Sequence, residues 1–154
     1  MRTSTTILTA ALCSTISALP SPNMLPRAGG PAIVPIPSTC TISFPLPTSP
    51  ATTTTYQPAP ATTADLLYSA YYPAFSTNKT AMAEQCLQQC YGYGYHVECK
   101  TAYWAENILV PAGEYGAGEL STACLLFSRA LDERDFVVAK EGQATGAFAG
   151  SIAC

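Results

Sequence analysis

The stretch Thr80-Ala-Met-Ala-Glu-Gln-Cys86-Leu-Gln-Gln-Cys90, followed by Tyr91-Gly92-Tyr93-Gly94-Tyr95-His96, decides how this chain folds. Its alanines, glutamines and leucine are strong helix formers, and Thr80 can cap the start. Glu84 suits the early turns, where the helix dipole favours an anion. The two glycines then supply the left-handed conformation with which helices often end. Cys86 and Cys90 stand four residues apart and so share one face of the predicted helix. Neighbours on one helix face are badly placed to bond each other, so each cysteine is expected to reach a different strand.

Those two cysteines belong to a larger set. The chain holds seven, at Cys13, Cys40, Cys86, Cys90, Cys99, Cys124 and Cys154. Met1-Arg2 followed by a mostly apolar run to Leu19, with small residues at Ser17-Ala18, reads as a signal peptide over residues 1–18. That run is too short and too often interrupted by Ser and Thr to span a bilayer. Cys13 leaves with the leader, and six cysteines remain, an even number that reads as a three-disulfide framework in a secreted domain. Six cysteines allow fifteen pairings. Cys99 is the nearest partner for Cys90 across the glycine turn, which leaves Cys86 for Cys124 and Cys40 for Cys154, a nested pattern.

Composition divides the rest. Most of the prolines fall between Pro20 and Pro60, and Ser38 to Thr63 is nearly half Ser and Thr. Residues 19–39 read as a Pro-rich propeptide or linker, and about 45–63 as a Thr/Pro-rich low-complexity insertion, extended or disordered and suited to O-glycosylation. Residues 40–154 form the predicted domain. Within it, Val97 to Trp104, Thr122 to Phe127 and Asp135 to Ala139 read as strands. A Gly-rich loop from Pro111 to Gly118 separates the first two. One helix packed on a small antiparallel sheet, an α+β fold, is the simplest architecture for this order.

Three motifs carry a resemblance: Ala83-Glu84-Gln85-Cys86-Leu87-Gln88-Gln89-Cys90, Leu120-Ser-Thr-Ala-Cys124-Leu-Leu-Phe127 and Glu141-Gly-Gln-Ala-Thr145. With a first and a terminal cysteine, the pattern resembles a PAN/apple domain, and in detail the small secreted apple-like proteins of filamentous fungi. The resemblance covers about Ala64 to Cys154. It implies the same nested pairing, Cys40–Cys154, Cys86–Cys124 and Cys90–Cys99, and a role in extracellular adhesion or recognition. The 45 residues between Cys40 and Cys86 exceed what that fold needs, which marks the Thr/Pro segment as an insertion.

Charge narrows the partners. Without Arg2 the chain carries six Lys and Arg against ten Asp and Glu, a net charge of −4. Nucleic acid and anionic membranes both require basic patches, so neither is an expected partner. Catalytic residues and cofactors are not expected: no Gly-x-Ser-x-Gly elbow or His-Glu-x-x-His helix occurs. His96 and Glu98 would share the face of a strand, and an exposed polar face explains them as well as an acid–base pair does. Asp132-Glu133-Arg134-Asp135 lacks the spacing of a calcium loop and reads as a solvated turn. Asn78-Lys79-Thr80 is an N-glycosylation sequon. The clearest binding signal is aromatic: Tyr91, Tyr93, Tyr95 and His96 offer flat apolar faces with polar edges, suited to sugar rings or a protein partner. Tyr103 and Trp104 are expected in the core. The chain thus reads as a secreted, non-catalytic module for carbohydrate or protein, the alternative being a structural, O-glycosylated wall or surface glycoprotein without a specific ligand.

Overall fold

The computed structural model describes residues 30–48 and 54–154. The signal-peptide reading with Cys13, residues 19–29 of the Pro-rich region and Thr52-Thr53 lie outside the described residues. The elements run β1 (Thr41–Ser43), β2 (Tyr56–Pro58), β3 (Leu66–Tyr72), α1 (Lys79–Tyr91), β4 (Thr101–Leu109), β5 (Leu120–Phe127), β6 (Phe136–Val138) and β7 (Thr145–Ala153). Five strands form one antiparallel sheet in the order β1-β7-β4-β5-β3, and β2 pairs with β6 in a separate ribbon.

Alternation along β4 and β5 divides the core between the two faces of the sheet, because successive side chains point to opposite sides. Ala102, Trp104, Cys124 and Leu126 pack beneath α1 with Met82, Ala83, Cys86 and Leu87. Tyr103, Ala105, Ala123, Leu125 and Phe127 pack on the other face with Leu131, Phe136 and Ala139. The central strands are therefore apolar almost throughout, as strands covered on both faces must be. Tyr103 and Trp104 are both buried, and the Tyr103 hydroxyl donates to the Tyr56 carbonyl at 2.8 Å, tying β4 to the β2–β6 ribbon. Burial pushes the Tyr103 phenol well above its ordinary value. Thr101, fully buried at the start of β4, is also satisfied. Its hydroxyl donates to the Arg129 carbonyl and accepts from Leu131 N–H, both at 3.0 Å, and it meets Ser151 Oγ at 2.7 Å.

The fold is a small disulfide-rich α+β structure, with three cysteine pairs at bonding distance. Cys86–Cys124 joins α1 to β5, Cys90–Cys99 joins the end of α1 to the approach to β4, and Cys40–Cys154 joins the outer ends of β1 and β7. Several details differ from the sequence expectations. Asn78, not Thr80, caps α1: its Oδ1 accepts from Ala81 N–H at 3.1 Å. The helix consequently starts at Lys79 and has no acidic residue in its first turn; Glu84 instead accepts from Gln88 Nε2 at 3.3 Å. The first predicted strand begins at Thr101 rather than Val97, because Val97 to Lys100 lead from the glycine turn through the Cys90–Cys99 bridge. The predicted strand Asp135–Ala139 is β6, which leaves the main sheet to pair with β2.

The Gly/Ala-rich C-terminal run holds no predicted element, yet β7 lies between β1 and β4 in the sheet. Its small residues admit the helix: a Cβ on Gly150 would stand 3.0 Å from Leu87 Cδ1. Parts of the Pro-rich regions are also built into the fold. Residues 30–37 run along the end of α1, where Val34 N–H donates to the Gln88 carbonyl at 3.3 Å. A Cβ on Gly92 would collide with the Ala32 carbonyl oxygen, so this close backbone crossing requires glycine. Within the Thr/Pro segment, Tyr56–Pro58 is a strand, residues 60–65 form a 3-10 turn and Thr62 is buried. Prolines are tolerated here because β2 is an edge strand and Pro60 opens a helical turn.

Candidate functional site

The candidate aromatic residues occupy the turn that the Cys90–Cys99 bridge closes. Gly94, Tyr95 and His96 all take the left-handed conformation, with φ of 55°, 55° and 68°. Glycine adopts this freely, whereas an L side chain there is strained. The three consecutive left-handed residues fold His96 back over the end of α1. Its imidazole stacks on the Tyr91 ring, with centroids 4.5 Å apart and 19° between planes. His96 Nδ1 lies 2.7 Å from the Tyr91 carbonyl oxygen. A carbonyl only accepts, so Nδ1 carries the proton of this bond.

The four aromatic residues are therefore not equivalent. Tyr91 and Tyr93 are half-buried and pack against the helix-side core. The Tyr93 hydroxyl reaches 3.5 Å from the Leu67 carbonyl, which places the turn beside β3. Tyr95 alone is free of the scaffold, 93% exposed, with Val97 63% exposed close by. The turn holds a large aromatic ring in water at the expense of backbone strain.

His96 and Glu98 do not share a strand face, since β4 begins only at Thr101. Among the described residues no hydrogen bond or ion pair joins them. The acidic turn is engaged internally. Asp132 accepts from Arg134, and Asp135 receives both terminal nitrogens of Arg129 at 2.7 Å while Arg129 Nε donates to Asp65 at 2.7 Å. Hydrogen bonding to Arg129 holds the Asp135 carboxyl down to about 2. Among the described residues, no group of three or more His, Cys, Asp and Glu is placed to hold a metal. No described helix is long and apolar enough to cross a membrane.

A second aromatic surface on β3 escaped the sequence reading. Tyr68 and Tyr72 lie partly buried on the helix side of the sheet, whereas Tyr71 packs on the opposite face; Tyr72 meets the exposed Phe75 with centroids 5.7 Å apart. Ser69 Oγ donates to Glu114 Oε1 at 2.9 Å, bringing the Gly-rich loop onto this strand. Burial, reinforced by the Glu114 charge, raises the Tyr68 and Tyr71 phenols above their ordinary range. The sequence signal was the density of tyrosine in Leu66–Tyr72. Its position at the edge of the sheet, next to Tyr93, follows only from the pairing with β5.

No family model matches the chain, and comparison with curated proteins and with solved structures found no match.

Proposed function

We propose that the chain is an extracellular, non-catalytic binding module of the PAN/apple type, recognising carbohydrate or protein at the cell surface or in the extracellular matrix. One observation carries this reading: Tyr95 is held almost wholly in solvent by a turn in which two non-glycine residues are left-handed. Strain of this kind costs on the order of 1–3 kcal/mol per residue and persists where the surroundings enforce it, often at ligand sites. Here the Cys90–Cys99 bridge and the Tyr91–His96 stack do the enforcing. An exposed tyrosine with a polar edge is chemically suited to a sugar ring or to a protein hot spot. Tyr68 and Tyr72, on the same side of the sheet as Tyr91 and Tyr93, extend the aromatic surface beyond the turn.

The test is a panel of immobilised glycans, insoluble wall polysaccharides and extracellular proteins probed with the secreted, disulfide-intact protein. Saturable binding to one class supports the module. Absence of binding across the panel favours the structural wall or surface glycoprotein.

A further inference from the structure

A groove lies on the opposite flank of α1 from Tyr95's turn, between the helix and the β1–β7 end of the sheet. It measures about 400 Å³. Leu87 and Phe148 form an apolar floor, Phe44 forms one lip, and Lys79, Thr80 and Glu84 form a polar rim. Phe44 is 67% exposed, yet its ring is held edge-on to Phe148 with centroids 5.8 Å apart. A phenylalanine fixed in this way at the mouth of an apolar groove marks a surface that something covers.

The sequence places a specific occupant beside it. Lys79 and Thr80 are the second and third residues of the sequon that begins at Asn78, so the glycan acceptor immediately precedes the groove rim in sequence. Asn78 is exposed at the N-cap, and only its Oδ1 is used there, accepting from Ala81 N–H. Among the described residues Nδ2 has no partner. Glycosylation at Nδ2 leaves the cap intact, so modification and helix initiation do not compete. We infer that this groove holds the first N-acetylhexosamine of a glycan carried on Asn78. In forming the linkage, Nδ2 bonds to C1 of a lipid diphosphate-linked oligosaccharide, the C1–O bond to the diphosphate breaks, and Nδ2 gives up one proton. The acetyl methyl and the apolar face of the sugar match Phe44 and Phe148, while its hydroxyls match Thr80 and Glu84. The inference rests on the extracellular part of the proposed function and is independent of the Tyr95 surface.

The test uses the full chain secreted from a eukaryotic host. Intact mass before and after peptide N-glycosidase reports occupancy, and the enzyme converts Asn78 to Asp, which caps a helix as well as Asn does. Asn78 is expected to be occupied, and removal of the glycan should lower Tm by roughly 2–6 °C. Trimming to a single sugar with an endoglycosidase should preserve most of that difference. In Phe44→Ala, whose side chain is mostly exposed, glycan removal should change Tm by less than about 1 °C. An unoccupied Asn78 overturns the inference, as does an equal Tm difference in parent and Phe44→Ala. Loss of binding to the glycan and protein panel alone leaves these results unchanged, which separates this inference from the Tyr95 reading.

Discussion

The imidazole of His96 stacks on Tyr91 at 4.5 Å while its Nδ1 bonds the carbonyl of that same tyrosine at 2.7 Å. The two contacts fold the turn back on the helix that precedes it, and they require the left-handed backbone at Tyr95 and His96. The turn is thus built to display one side chain, and the backbone strain it stores can be measured separately from any ligand.

Strain at Tyr95 is read by comparing two replacements. Tyr95→Ala removes the ring and keeps the left-handed penalty, whereas Tyr95→Gly removes both. The glycine variant should be more stable than the alanine variant by about 1 kcal/mol in denaturant unfolding, since the left-handed penalty exceeds the entropy cost of glycine. Equal stabilities, or a less stable glycine variant, contradict a strained turn.

Arg129 and Asp135 set an acid limit on stability. Asp135 titrates at about 2 in the folded protein against an ordinary 3.8, so this pair stabilises the fold fully above about pH 4 and the contribution fades as pH falls through about 2. Arg129→Gln should flatten this part of the pH–stability curve. At neutral pH it should cost about 1 kcal/mol, a modest figure because the Arg129 side chain is 42% exposed. An unchanged acid limb in the variant rules out the pair as its source.

The cystine Cys86–Cys124 fastens the helix to the middle of the sheet and closes a loop with a sequence separation of 38. Cys86→Ser should lower stability by about 3–4 kcal/mol through the unfolded chain alone, with a further loss from a hydroxyl placed in the core. Secretion yield and urea unfolding check this. A variant secreted at the parent level with the parent midpoint contradicts the assigned bridge.

How far the sequence revealed the fold depended on whether a local signal decided the structure. The helix was legible because its formers and its paired cysteines agree over one short stretch; of the two glycines, Gly92 ends it in the right-handed rather than the expected left-handed conformation, and only Gly94, beyond the helix, is left-handed. Strand β5 was legible from its apolar run. Strand β7 was not, because Gly146, Gly150 and the surrounding alanines have low strand propensity, and Gly150 is required for clearance beneath Leu87, a tertiary demand. The start of β4 was misplaced because Val97 to Cys99 lead through a disulfide bridge rather than a ladder, backbone bonds to β5 and β7 beginning only at Lys100. Of the candidate site, the tyrosine-rich turn was visible in sequence. Its internal stack, which occupies Tyr91 and His96 and leaves Tyr95 free, arises from three consecutive left-handed residues that no local propensity announces.

The central claim is that the ring of Tyr95 contacts the ligand. The most direct measurement is the affinity of the parent and of Tyr95→Ala for whichever glycan or protein the panel identifies, with unfolding curves recorded on the same samples. Tyr95 touches little of the scaffold, so the account predicts at least a roughly tenfold weaker Kd with stability changed by less than about 0.5 kcal/mol. Parent-like affinity in a folded Tyr95→Ala contradicts it.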